Sequence, residues 1–317
     1  MKNETTLKDR YLGCMLGLAI GDSLGAPYEF KSNPKKCKGM VGGFRLVKNG
    51  KRSIESTPPG IWTDDTAMTL CLADSLLTRK ESNSFHQMLT YYRWYKDGFL
   101  SALGQCEGMG RRTRESLKNF ELRGIESLND KQDVDQSGNG SLMRVAPIAL
   151  FYYRQFFNYS RLMKKNSRES SMVTHRNIEC LDACDILTQI LFLILREYNK
   201  KEIFSNIDIT NMSLPIKNIF DLKTYKEEPP YITGSGYVIK TLEAVLWAFN
   251  KSTCFKDGAL LAVNLGDDTD TVCSIYGALA GAYYGYKSIP RSWKDKLHKK
   301  ELIKDYALRL YNHSQNK

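Results

Sequence analysis

Leu12-Gly13-Cys14-Met15-Leu16-Gly17-Leu18-Ala19-Ile20-Gly21-Asp22-Ser23-Leu24-Gly25 puts a glycine at every fourth position of an otherwise apolar run. On a helix these glycines fall along one stripe. Each disfavours the helix by about 1 kcal/mol relative to alanine, so the stripe argues for a purpose other than helix formation. That purpose is close approach of a second backbone, as small-residue ridges allow. A matching set, Gly277, Gly281 and Gly285, lies in VCSIYGALAGAYYG at 272–285. The spacing predicts two helices, one from each end of the chain, packed backbone to backbone. Asp22 sits inside the first of them and needs a buried partner.

Just upstream of the second stripe runs Asn264-Leu265-Gly266-Asp267-Asp268-Thr269-Asp270-Thr271. Three carboxylates and two hydroxyls in five positions repel one another unless a cation sits among them. Oxygen-only donors suit a hard divalent ion. A second oxygen cluster, Thr63-Asp64-Asp65-Thr66, follows Pro58-Pro59-Gly60 and opens a helical pattern. An N-cap explains one of these residues and leaves the others unexplained. If the glycine stripes cross, the first helix brings Glu29 to the acidic run. Ser137-Gly138-Asn139-Gly140-Ser141 is a tight loop followed at once by an apolar helical pattern, a place where free N–H groups suit a diphosphate or make an ordinary turn. His175 precedes another long helix, where a lone histidine is usually structural.

Helical spacing dominates the rest, and strand alternation is scarce. Residues 83–97 read as an amphipathic helix with Phe85, Met88, Leu89, Tyr92 and Tyr95 on its buried face. Residues 31–60 read as an irregular excursion with a short hairpin around Phe44 to Val47. Gly108-Met109-Gly110-Arg111-Arg112-Thr113 opens a further helix whose arginines suit phosphate or solvent. The polar stretch at about 199–230 reads as a loop insertion, and the last 25 residues as a polar helix or tail. The expected architecture is all-α, one domain over 1–317.

At 317 residues the chain is long enough to bury a large core. Eight cysteines lie scattered without a CxxC pair, and with only four histidines they predict buried thiols rather than a zinc site or disulfide framework. No apolar run reaches membrane-spanning length, and the opening MKNETTLKDR lacks an apolar signal core. A cytoplasmic location, with no membrane partner, is expected. The net charge of +11 is spread over lysines throughout the chain, which reads as a solvated surface rather than a nucleic-acid footprint.

Beyond these patterns, the chain resembles the ADP-ribosylglycohydrolases. The resemblance rests on Gly21-Asp22-Ser23-Leu24-Gly25-Ala26-Pro27-Tyr28-Glu29, Gly60-Ile61-Trp62-Thr63-Asp64-Asp65-Thr66-Ala67-Met68, Gly138-Asn139-Gly140-Ser141-Leu142-Met143-Arg144-Val145-Ala146-Pro147, Thr174-His175, Gly236-Tyr237-Val238 with Thr241-Leu242-Glu243-Ala244, and Asn264 to Thr271. These run in the family's order from about residue 10 to 290. Each motif alone is modestly specific, whereas the ordered set is highly specific. The resemblance implies a compact orthogonal helical bundle that removes ADP-ribose from modified protein side chains, with two Mg²⁺ ions (Mn²⁺ as substitute) as cofactor. It implies Thr63, Asp64, Asp65, Asp268, Asp270 and Thr271 as metal ligands, and Glu29, Asp65 and Asp268 as catalytic. Ser137, Gly138, Asn139, Gly140, Ser141, Met143 and His175 would bind substrate. The implied partner is an ADP-ribosylated protein or an ADP-ribose-containing small molecule, met by a monomer. In such enzymes water attacks the anomeric carbon of the distal ribose.

Some relatives carry an aromatic residue before Gly-Asn-Gly to stack adenine, where this chain has Ser137. The wording of the Asn264 and Ser141 motifs is closer to bacterial-type hydrolases of ADP-ribosylarginine. The alternatives are an O-linked (serine or O-acetyl) ADP-ribose hydrolase and an inactive ADP-ribose-binding relative. Asp268-Thr269-Asp270-Thr271-Val272 also fits a haloacid-dehalogenase-like phosphatase motif, but that motif should follow a strand directly, and here Gly266 intervenes. A calcium loop requires a glutamate where Leu279 stands.

Overall fold

The two glycine stripes meet. A Cβ added at Gly13 would lie 1.9 Å from the carbonyl oxygen of Gly281, and one at Gly17 would lie 2.3 Å from that of Gly277. Gly21 and Gly25 press in the same way on Cys273 and Thr269. Only hydrogen fits between the two backbones, so the close crossing needs glycine at these positions. Gly285 differs from the others: it ends the second helix with φ +83°, and a Cβ there would lie 2.3 Å from Asp9 Oδ2, so it meets a side chain of the first helix rather than its backbone.

The computed structural model describes residues 5–31, 36–43, 45–48, 51–129, 137–155 and 161–315. Fourteen α-helices occur among them. The first seven are α1 (Leu7–Gly25), α2 (Asp64–Arg79), α3 (Ser84–Asp97), α4 (Arg111–Arg123), α5 (Ala146–Tyr152), α6 (Arg161–Met172) and α7 (Ile178–Leu195). There follow α8 (Lys200–Ser205), α9 (Leu214–Asp221), α10 (Val238–Lys251), α11 (Phe255–Val263), α12 (Thr269–Tyr284), α13 (Arg291–Lys296) and α14 (Lys300–Gln315). A two-stranded antiparallel hairpin, β1 (Arg45–Lys48) and β2 (Lys51–Ser56), is the one sheet among the described residues. It falls near the expected place, although Phe44 lies outside the described residues, as does the run 130–136 that precedes the Gly-Asn-Gly loop. The fold is all-α.

Helix α12 is the central strut. It packs on α1 more extensively than any other pair of elements does, and it also touches α7, α10 and α11. Buried side chains from Tyr11 to Leu310 join in one hydrophobic cluster. No helix among the described residues is long and apolar enough to cross a membrane. All eight cysteines are free thiols, six of them buried.

Three local expectations need correction. The segment 199–230 is not merely irregular: it carries α8 and α9, and α8 opens with a capping box between Asn199 and Glu202. The final residues take the helical of the two expected forms, as α14, but the helix is not polar all round: it buries Ile303, Tyr306, Ala307 and Leu310 against the core. In α3 the buried face is Met88, Tyr91 and Trp94, while Phe85 is exposed. The aromatic residues are frequent on both flanks of that helix, so spacing alone misplaced its stripe by one position.

Candidate active site

Helix α2 begins in an unusual way. Thr63 holds the N-cap position, yet its side chain caps no backbone N–H. The cap comes from α1 instead. Asp22 is fully buried and accepts from Thr63 N (3.0 Å), Thr63 Oγ1 (2.9 Å), Thr66 N (3.1 Å) and Thr66 Oγ1 (2.6 Å). A carboxylate at this helix start meets both the free N–H groups and the positive end of the helix dipole. This is the partner that Asp22 required. It leaves Asp64 and Asp65, in the first turn, free of capping duty.

Those two side chains line a cleft of about 440 Å³ together with Glu29, Asp268, Asp270 and Thr271. Carboxylate oxygens of Glu29, Asp268 and Asp270 lie within 4.8 Å of one another. The glycine crossing produces this meeting: Thr269 at the start of α12 donates its hydroxyl to the Gly25 carbonyl at the end of α1 (2.9 Å). Glu29 is then delivered by the short 3₁₀ turn Ala26–Tyr28. Phe30 N donates to Asp267 O (2.9 Å), which ties the two acidic segments together.

The electrostatics follow from burial and crowding. Burial, reinforced by Asp268 and Asp22, pushes Glu29 up to about 7. Burial pushes Asp22 up to about 6, against the pull of its hydrogen bonds. Asp64, Asp65 and Asp270 are likewise held well above the usual carboxylate range, by burial first and then by neighbouring carboxylates, Asp22 foremost for Asp64 and Asp65 and Glu29 for Asp270. Asp65 Oδ1 is buried without a hydrogen bond of normal geometry. An oxygen-only donor set, an unsatisfied buried carboxylate oxygen and mutual repulsion are what a hard divalent cation relieves. The residues present fit such an ion.

The opposite wall is the Gly138–Gly140 loop, with Met143 and His175 also lining the cleft. The loop is anchored by Asn139, whose amide donates to Asp268 Oδ2 (2.8 Å) and Thr241 Oγ1 (3.0 Å). His175 is fully enclosed, and burial together with the Arg144 and Arg112 charges drives its pKa down to about 3. It is therefore a neutral imidazole at physiological pH, with Nδ1 2.7 Å from Thr174 Oγ1. Arg144, also fully buried, lies over the Tyr91 ring and donates to the same Thr174 oxygen (2.6 Å).

Three expected site residues do not line the cleft. Thr63 faces Asp22. The Ser137 carbonyl accepts from Val238 N (2.8 Å). Ser141 is buried beneath the loop, where Ser171 donates to its hydroxyl (2.8 Å). Sequence reasoning in turn left Phe30 and Met109 unassigned, although both line the cleft, as do Arg111 and Arg112. Gly108 presses on Asp64 from this side: its φ is +80°, and a Cβ there would lie 2.2 Å from Asp64 Oδ1. The Gly108-Met109-Gly110 pattern was the available signal, but the contact with Asp64 spans elements that spacing does not connect.

The ADP-ribosylglycohydrolase family pattern matches residues 3–317, and the chain belongs to that family of glycosidic-bond hydrolases. An ADP-ribosylarginine hydrolase Tri1 from Serratia proteamaculans is 36% identical over 97% of this chain and 80% of its own length. The ADP-ribosyl-[dinitrogen reductase] glycohydrolase of Rhodospirillum rubrum is 26% identical, covering 93% of this chain and 92% of its own. A solved structure titled ADP-ribosylglycohydrolase-related protein complex superposes with a TM-score of 0.79. It shares 36% identity and covers 97% of this chain and 99% of that one.

Proposed function

We propose that this chain hydrolyses the N-glycosidic bond between ADP-ribose and a modified arginine side chain, using divalent cations held between α2 and α12. The observation that carries the reading is the convergence of Glu29, Asp64, Asp65, Asp268, Asp270 and Thr271 in one cleft that a glycine-rich loop also lines. The arginine linkage is supported by the 36%-identical relatives from Serratia proteamaculans and Pseudomonas putida, both named as ADP-ribosylarginine hydrolases.

Asp64, Asp65, Asp268, Asp270 and Thr271 would hold Mg²⁺ or Mn²⁺, with Thr63 offering the lone pairs of a hydroxyl that donates its hydrogen bond to Asp22. Bound there, such ions orient ribose hydroxyls and lower the pKa of water. Gly138, Asn139 and Gly140 present the loop backbone to the diphosphate. His175, neutral and enclosed, offers a hydrogen bond rather than a charge. Glu29, at the rim of the acidic cluster, takes a proton from the attacking water. Asn139 keeps Asp268 turned toward the cluster.

The test is a panel of arginine-, serine- and O-acetyl-linked ADP-ribose substrates, each assayed with Mg²⁺ and with chelator. Metal-dependent release from arginine alone is the expected result. Faster release from the serine linkage overturns the arginine assignment, and hydrolysis that survives chelation overturns the metal site.

A further inference from the structure

On the far side of Tyr28 from the cleft lies a second, open groove of about 650 Å³. Its rim carries Lys36, Lys38 and Lys296, all exposed, and no carboxylate lines it. Among the described residues none of the three lysines is ion-paired. Lys296 alone is engaged, donating to the Met40 carbonyl at 3.3 Å. Three such charges without an ion-pair partner among the described residues create a local positive field beside an acidic cleft.

The groove is fixed to the active centre by two connections. Tyr28, in its wall, directly precedes Glu29. The loop bearing Lys36 and Lys38 is bolted to the acidic run by Asn264, whose Oδ1 accepts from Cys37 N (2.7 Å) and whose amide donates to Cys37 O (3.2 Å). Asn264 thus has a purpose its motif did not disclose: it sets the basic rim at a constant distance from the site.

From this we infer that the groove docks an acidic stretch of the modified polypeptide while its ADP-ribosylated side chain occupies the cleft. Charge complementarity selects an anionic partner, and the floor selects polypeptide over nucleic acid. Trp293 is only 5% exposed, and Lys31 stands over one face of the Tyr28 ring at 5.9 Å, so the groove lacks the paired open rings on which successive bases stack. The inference rests on the proposed function only in making that polypeptide the substrate.

The test uses the full chain and the exposed-site double variant Lys36→Glu, Lys38→Glu. Binding of a fluorescein-labelled oligoglutamate peptide and of a single-stranded oligodeoxynucleotide of matched charge is read by anisotropy. The variant should weaken the peptide about tenfold, and added salt should weaken it in the wild type. KM for an acidic ADP-ribosylated protein should rise by a similar factor with kcat unchanged, and hydrolysis of free ADP-ribosylarginine should not change. Equal peptide binding by both proteins overturns the docking surface, as does tighter binding of the oligonucleotide. A wild-type protein that binds the peptide but leaves free ADP-ribosylarginine intact refutes the proposed reaction instead.

Discussion

Gly13 and Gly281 approach so closely that a Cβ on either would lie 1.9 Å from the other's carbonyl oxygen. The neighbouring backbone cannot shift without moving the ends of α1 and α12, which carry the acidic cluster. Gly281→Ala should therefore destabilise the protein by about 3 kcal/mol, at the upper end of overpacking costs. Denaturant unfolding measures the loss. A variant as stable as the wild type would mean that the crossing is not rigid.

Asp22 touches no part of the cleft, yet it sets the start of α2. Asp22→Asn replaces an all-acceptor group with one that presents a donor to the donors of Thr63 and Thr66. Mn²⁺ affinity, followed by calorimetry or electron paramagnetic resonance, should fall about 10–100-fold, as for other residues that support metal ligands. Unchanged Mn²⁺ binding by a folded variant would reduce Asp22 to a stabilising cap.

The acidic cluster predicts an interplay of pH and metal. Without metal, Asp22 and Glu29 hold protons up to about 6 and 7, whereas unfolded carboxyls ionise near 4. The unfolded chain thus binds fewer protons, and chelated protein should lose stability as pH rises from about 4, levelling off once it has passed through 6 to 7. If the proposed Mg²⁺ site is right, the ion competes with protons for the cluster, so the increase in melting temperature that it causes should be larger at pH 8 than at pH 6. An Mg²⁺ effect independent of pH would place the ion elsewhere.

His175 acts with the opposite sign. Its folded pKa of about 3 lies below the ordinary histidine value, so the unfolded chain takes up the extra proton first. Its contribution is complete above about pH 6.5 and is lost as pH falls, at about 1 kcal/mol per pH unit. In chelated protein His175→Gln should flatten that acid limb relative to wild type. Parallel pH profiles for the two proteins would refute the buried neutral imidazole.

Much of the architecture could be read from periodicity, because the informative residues are ones that tolerate few roles. Four glycines at helical spacing have little use except close packing, and consecutive aspartates have little use except cations or caps. What remained hidden depends on contacts between distant elements. That Asp22 caps α2 is invisible at the level of either segment, since each reads as complete in itself. Asn139 reads as a turn residue, and only the fold reveals its amide on Asp268. Ser141 and Ser137 follow the motif in sequence but do not line the cleft, because Ser141 packs beneath the loop against Ser171 and the Ser137 backbone pairs with Val238. The helices at 199–230 escaped notice because six and eight residues span only about two turns, too short for a period to stand out from the polar surroundings.

The hydroxyl of Thr269 reaches the Gly25 carbonyl across 244 positions of sequence. A contact of such separation forms only after a large loop has closed, late in folding. During synthesis, Glu29, Asp64 and Asp65 emerge from the ribosome long before Asp268 and Asp270 exist. The nascent chain thus carries half an acidic cluster that neither repels its other half nor competes for cations as a complete site. Under the proposed metal site, ion capture would act as a checkpoint on chain completion: a truncated product lacking α12 retains Thr63 to Asp65 without Asp268 and Asp270.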